Sequence, residues 1–166
     1  YLINEFAEFN KINDEFNLLI LGDGEQKKLL QKKIKEFNLE NKIYLMGYVK
    51  NVYSYFKYGE IFILSSLWEE LGFVMIEAAF SNLFVISSDC PNGPSEFLDN
   101  NNNGILFENN KVGHLLNALK RYQKLDDKEK YIYKAKKNTQ KYSQFRHFIA
   151  LKKILSREMI QPSYHK

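Results

Sequence analysis

The apolar residues of this chain fall into two patterns. Five runs are short and almost continuously apolar: Asn17–Leu21, Lys42–Met46, Ile61–Leu64, Leu83–Ser87 and Gly104–Phe107. Runs of this length without alternation predict strands buried on both faces. The first stops at Gly22-Asp23-Gly24 and the second at Gly47-Tyr48-Val49, where turns are expected. Elsewhere the apolar positions recur at helical spacing. Leu2, Ile3, Phe6 and Phe9 predict that the chain opens inside a helix. Glu25–Phe37 predicts a basic amphipathic helix with Leu29, Leu30, Ile34 and Phe37 turned inward. A short helix is expected over 52–57, with Val52, Tyr55 and Phe56 on one side, and another over 73–80. Pro94 suits the first position of a short helix reaching Leu98. From residue 111 the pattern predicts three helices, near 111–124, 127–142 and 144–159.

Strands alternating with helices predict an α/β fold: a Rossmann-like, mostly parallel sheet with helices on both faces and a helical C-terminus. The length of 166 residues suits one domain, placed over 1–159 with a tail over 160–166. Composition narrows the class further. Hydrophobic residues make up 45% and charged residues 27%, which fits a soluble globular domain. The apolar runs are too short to span a bilayer. The first residues lack a basic segment followed by an apolar one, so no secretory leader is expected. The chain also lacks an initiator Met, as a piece of a longer polypeptide would.

Cys90 is the single cysteine, which excludes an internal disulfide and a cysteine metal cluster. It fits a reduced, cytoplasmic setting, and its expected role is a small packed loop residue rather than a nucleophile. Net charge is +4. The excess gathers late, at Lys128, Lys130, Lys134, Lys136, Lys137, Lys141, Lys152 and Lys153. Solvated helix faces account for it. The alternative is contact with an anionic membrane surface or a phosphate-bearing substrate. No nucleic-acid motif accompanies the charge, so no nucleic-acid partner is expected.

The densest chemistry lies between two predicted elements. Glu69 sits past the predicted strand Ile61–Leu64, and Glu77 sits in the first turns of the helix that follows. In an open α/β sheet, ligands bind at that edge. A carboxylate there can accept hydrogen bonds from the vicinal hydroxyls of a ribose. A helix N-terminal Glu that merely favours the macrodipole is the plainer account of Glu77. Gly72 lets a backbone amide come close to a ligand, and unpaired amides at the helix start can hold a phosphate. Glu69, Glu70 and Glu77 would repel one another at one edge unless a ligand or cation uses them. A paired-carboxylate hydrolase is the competing chemistry.

Ser66-Leu67-Trp68-Glu69-Glu70-Leu71-Gly72, followed by Glu77-Ala78-Ala79, resembles the Glu-x7-Glu signature of retaining GT-B glycosyltransferases, family four or "group 1". Further landmarks fall in register. Leu21-Gly22-Asp23-Gly24-Glu25, Met46-Gly47-Tyr48-Val49 and Val85-Ile86-Ser87-Ser88-Asp89 are similar to family segments. So are Gly93-Pro94-Ser95-Glu96 and Gly104-Ile105-Leu106-Phe107, and the resemblance covers residues 1–159. The stretch Asp89–Glu96 is similar to a branch that builds lipid-linked or surface oligosaccharides in bacteria.

The resemblance implies the C-terminal, donor-binding domain of such an enzyme. It implies transfer of a hexosyl group with retention from a UDP- or GDP-sugar to a glycan or lipid-linked acceptor. No metal and no cofactor are implied. Glu77 would bind the ribose hydroxyls. Glu69 would lie against the donor sugar as the catalytic residue of this half. The amides of Gly72, Phe73 and Val74 would meet the sugar or diphosphate, and Val49 would hold the base through its backbone. Glu70 stands where the family usually has Gly, and Leu71 where it usually has Phe.

The resemblance also implies a preceding strand with Gly-Arg and a Lys that hold the diphosphate, and an acceptor domain before that. Residues 1–10 contain no Arg or Lys. The first strand lies mid-sheet in the usual order. Without it, Asn17–Leu21 and Ile61–Leu64 would have unpaired inner edges, with weak stability or self-association as the consequence. Residues 1–166 alone are then expected to transfer no sugar. The expected setting is cytoplasmic, or peripheral at the inner face of a membrane. A non-catalytic nucleotide-sugar module, a gene remnant and one half of a sugar epimerase are the alternative readings.

Overall fold

The computed structural model describes residues 1–158. The expected tail and the last residue of the helix expected over 144–159 lie outside them. The elements follow in order: α1 (Leu2–Asn10), β1 (Leu18–Leu21), α2 (Lys27–Glu36), β2 (Ile43–Gly47) and α3 (Tyr53–Phe56). Then come β3 (Ile61–Leu64), α4 (Phe73–Phe80), β4 (Phe84–Ser88), α5 (Pro94–Phe97) and β5 (Ile105–Phe107). The chain closes with α6 (His114–Gln123), α7 (Lys128–Thr139), a 3-10 turn over Gln140–Tyr142 and α8 (Gln144–Glu158).

All three strand pairings are parallel, as continuous apolar runs require. Within β3, β4 and β5, alternate residues enter different cores. Ile61, Ile63, Phe84, Ile86, Ile105 and Phe107 join a cluster with Ile3, Phe6 and Phe9 of α1 and Leu115 and Leu119 of α6. Phe62, Leu64, Val85 and Leu106 join Met75, Ile76 and Ala79 of α4, Phe97 of α5 and Ala135 of α7. The sheet is therefore covered by α1, α2 and α6 on one face and by α4, α5 and α7 on the other. This is the Rossmann-like arrangement that the alternation of strands and helices predicts.

The pairing is broken in the middle. β1 pairs with β2, and β3 pairs with β4 and then β5, but β1 and β3 do not pair. Among the described residues no strand pairs with the inner edge of β1 or of β3, as expected for these two strands. What joins the two halves is α1: Leu18, Ile20 and Ile43 share its cluster with Ile61 and Ile63.

Two expectations need correction. Leu29 is 59% exposed and Phe37 37% exposed, so neither faces inward. α2 covers only the β1–β2 edge of the sheet, and a stripe made by Ile34 and Leu30 suffices for that contact. Leu29 lies about 100° around the helix from Leu30 and points elsewhere. The helix expected over 127–142 ends at Thr139 and tightens into the 3-10 turn. In α8, Phe145, Phe148, Ile149, Leu151, Ile154 and Leu155 are all exposed. Among the described residues no helix is long and apolar enough to cross a membrane.

Local chemistry fixes α6. Its N-cap is Gly113, which has no side chain to offer. Glu5 of α1 supplies the cap from across the fold, accepting from the Gly113 N–H at 2.8 Å and the Leu116 N–H at 3.0 Å. That places a carboxylate at the positive end of a helix, where charge and hydrogen bonding both favour it.

Candidate functional site at the strand-to-helix junction

The chain leaves β3 at Leu64, crosses the sheet edge over residues 65–72 and enters α4 at Phe73. Three contacts hold this crossing. Ser88 Oγ donates to the Ser66 carbonyl at 2.7 Å. Asn109 Nδ2 donates to the Leu67 carbonyl at 3.0 Å. Gly93 (φ 126°) lies flat against Leu71, so close that a Cβ there would stand 2.8 Å from the Leu71 carbonyl oxygen. The crossing is thus fastened to the ends of β4 and β5 rather than left mobile.

Gly72 ends the crossing in the left-handed region at φ 67° and ψ 51°. Glycine takes that conformation without cost, whereas another residue would pay for it in Cβ contacts. The turn aims the start of α4 at the sheet edge. Met75 N–H is the first in the helix to find an acceptor, the Gly72 carbonyl at 2.9 Å. The N–H groups of Gly72, Phe73 and Val74 find no acceptor among the described residues. Unpaired amides at a helix start are groups that an anion can accept from.

Glu69 is half-buried, and Ser66 Oγ donates to its Oε1 at 2.6 Å. Glu77 is half-buried on the first turns of α4. Its neighbour is Tyr53 of α3. Burial, then the charge of the Glu77 carboxylate and a hydrogen bond to it, raise the Tyr53 phenol above its ordinary range. Glu70 is exposed, whereas Glu69 and Glu77 are half-buried. Among the described residues no group of three or more His, Cys, Asp or Glu could hold a metal. Val49 is half-buried just past β2, on the edge where β2 ends. Phe73 is 64% exposed, leaving its ring free and its amide accessible. Cys90 is 2% exposed and packed in the loop after β4, as expected.

The sequence reading named Glu69, Gly72, Phe73, Val74, Glu77 and Val49 as candidates and gave no role to Ser66, Ser88, Asn109 and Tyr53, which the structure places against them or the crossing. Ser66 alone carried a local signal, three residues before Glu69. The others come from β4, the end of β5 and α3, at sequence distances that no local pattern can connect.

Comparison with known proteins shows the family. The family model described as "Glycosyl transferases group 1" matches residues 1–139. The chain is 33% identical over 138 residues to a 4-alpha-N-acetylgalactosaminyltransferase of Campylobacter jejuni, whose name specifies a diphospho-undecaprenol substrate. That match covers 83% of this chain and 37% of the relative. The crystal structure of TarM superposes with a TM-score of 0.80 at 30% identity, covering 93% of this chain and 31% of TarM. Anabaena HepE in complex with UDP superposes at 0.83 with 20% identity, covering 94% of this chain and 44% of HepE, and shows the likeness of fold. The chain spans between 21% and 37% of the length of the Campylobacter enzyme and similar curated relatives. With a family model matching residues 1–139, most of its length, the chain belongs to the group 1 glycosyl transferases.

Proposed function

We propose that residues 1–158 are the donor-binding part of a retaining hexosyltransferase that takes a sugar from a UDP- or GDP-sugar. One observation carries this reading: the free amides of Gly72, Phe73 and Val74 stand one or two helical turns from the Glu77 carboxylate. Amides that bind an anion, beside a carboxylate that binds vicinal hydroxyls, match a diphosphate joined to a ribose. Glu77 binds the ribose. Glu69, held by Ser66, faces the donor sugar. Val49 meets the base through its backbone.

The acceptor is a glycan or a lipid-linked saccharide. The name of the Campylobacter relative supports the lipid-linked class. Peripheral contact with an anionic membrane accompanies such an acceptor. A groove of about 830 Å³ lined by Lys134, Lys137, Lys141 and Arg146, with Asp99 as its carboxylate, supports that contact. Residues 1–166 alone transfer no sugar in this reading, because residues 1–10 contain no cation for the diphosphate.

Titration calorimetry of the chain with UDP, GDP and their sugars tests the donor role. Binding of one nucleotide should fall at least about tenfold in Glu77→Ala, the loss of one or two charged hydrogen bonds. Equal affinity of the two proteins would remove Glu77 from the ribose site.

A further inference from the structure

The Glu77 carboxylate takes its surroundings from α3 as well as from its own helix. Phe56 of α3 and Ala78 of α4 share a buried cluster, with Val52 and Val74 packed against it. Val74, Glu77 and Ala78 lie on one face of α4 by helical spacing. Tyr53 and Phe56 lie on one face of α3, their rings 6.1 Å apart and at 83° to each other. The packing of α3 on α4 therefore sets Tyr53 beside Glu77. The start of α3 is fixed in turn. Asn51 Oδ1 accepts from the Tyr53 N–H at 3.1 Å, and the Asn51 carbonyl accepts from Ser54 Oγ at 2.7 Å. Tyr53 is 47% exposed and Glu77 is half-buried, so a ligand can reach both.

Among the described residues no Lys, Arg or His forms an ion pair with Glu77. Its neighbouring donor is the Tyr53 phenol, which burial, the carboxylate's charge and a hydrogen bond to it raise above the ordinary range. The terminal torsion of a glutamate is soft, so an unheld carboxylate turns easily. A phenol that donates to it stops that rotation and uses one of about four lone-pair sites. The remaining sites stay open to the two hydroxyls of a cis-diol. The segment just past β2 that carries Val49 leads directly into α3, so Tyr53 is joined to the same edge of the sheet.

We infer that Tyr53 is a positioning residue of the donor site: its phenol O–H holds the Glu77 carboxylate in the orientation that accepts from the two ribose hydroxyls of a nucleoside diphosphate. The inference rests on the assignment of Glu77 to the ribose. It adds a residue from a second helix on which selection of a ribose over a deoxyribose depends. Tyr53 bonds the carboxylate and not the sugar, so it acts through Glu77.

Calorimetry of the whole chain with UDP and GDP, each beside its 2′,3′-dideoxy form, tests this. The wild-type protein should prefer the better-bound ribonucleotide over its dideoxy form by at least about tenfold. Tyr53→Phe keeps the ring against Phe56 and removes one oxygen at an exposed position. It should cut that preference about 3- to 10-fold, the worth of one hydrogen bond, and leave the dideoxy affinity within about twofold. In a Glu77→Ala background, Tyr53→Phe should change neither affinity, because the two residues act as one unit. A wild-type protein that binds neither nucleotide, or binds both forms equally, overturns the ribose assignment of Glu77 and this inference with it. A full preference kept in Tyr53→Phe overturns this inference alone. So does an equal loss with both forms, which assigns Tyr53 to the base or to packing, and so does a loss of the same size in the Glu77→Ala background. A Tyr53→Phe protein that does not fold also overturns it, since a positioning role leaves the fold intact.

Discussion

Gly93 and Leu71 are in backbone contact: a Cβ on Gly93 would lie 2.8 Å from the Leu71 carbonyl oxygen and 3.1 Å from its carbonyl carbon. This contact joins the loop after β4 to the crossing that carries Glu69. Backbone atoms cannot yield as the tip of a side chain can. Gly93→Ala must therefore displace one of the two loops, and φ 126° adds strain of its own. The expected cost is about 2–3 kcal/mol, read as a lower denaturation midpoint. Gly24→Ala, where a Cβ meets nothing within 4 Å, is the control and should stay within about 1 kcal/mol.

Ser66 positions Glu69 through a 2.6 Å hydrogen bond. Removing it leaves the carboxylate free to rotate but keeps its charge. In Ser66→Ala the affinity for the preferred nucleotide-sugar should fall about 2- to 10-fold, the worth of one hydrogen bond. Affinity for the free nucleotide should not change under the proposed assignment of Glu69 to the sugar. Calorimetry with both ligands checks this, and parallel losses would contradict the assignment of Glu69 to the sugar.

Glu5 is 4% exposed and caps α6 from a distant helix. Glu5→Ala leaves the Gly113 and Leu116 amides without an acceptor in a place water hardly reaches. A loss of about 2–3 kcal/mol is expected, or a Tm lower by about 4–12 °C. Thermal unfolding measures it. Glu5→Gln keeps one acceptor oxygen and should recover part of the loss.

Tyr122 is buried against Phe84 and bonded to the Glu60 carboxylate. Burial first, then the hydrogen bond and the charge of Glu60, raise its phenol far above the ordinary value. The unfolded chain releases this proton near pH 10 and the folded chain does not, so above pH 10 the folded state binds more protons. The stabilisation is complete below pH 10 and declines as the pH climbs towards the folded value. Denaturant titrations at pH 9 and pH 11 should show a fall that is smaller in Tyr122→Phe. An identical pH slope in the variant would exclude Tyr122 as the cause.

The sequence by itself determined much of this protein. Continuous apolar runs such as Leu83–Ser87 can only be strands covered on both faces, so the α/β class followed from local pattern. Glu69, Gly72 and Glu77 were legible as candidates because they lie within one strand-to-helix junction, where spacing along the chain is also spacing in space. Tertiary structure decided what depends on distant partners. Ser88 and Asn109 reach the crossing from β4 and the end of β5, and Tyr53 reaches Glu77 from α3. Leu29 and Phe37 matched a helical stripe yet stayed exposed, because α2 covers only the edge of the sheet. Periodicity names the face of a helix, but how much of that face is buried depends on the area of its neighbour. The Glu5 cap of α6 is the same lesson in hydrogen bonding: Gly113 at the N-cap has no side chain to offer, and the fold supplied a partner from more than a hundred residues away.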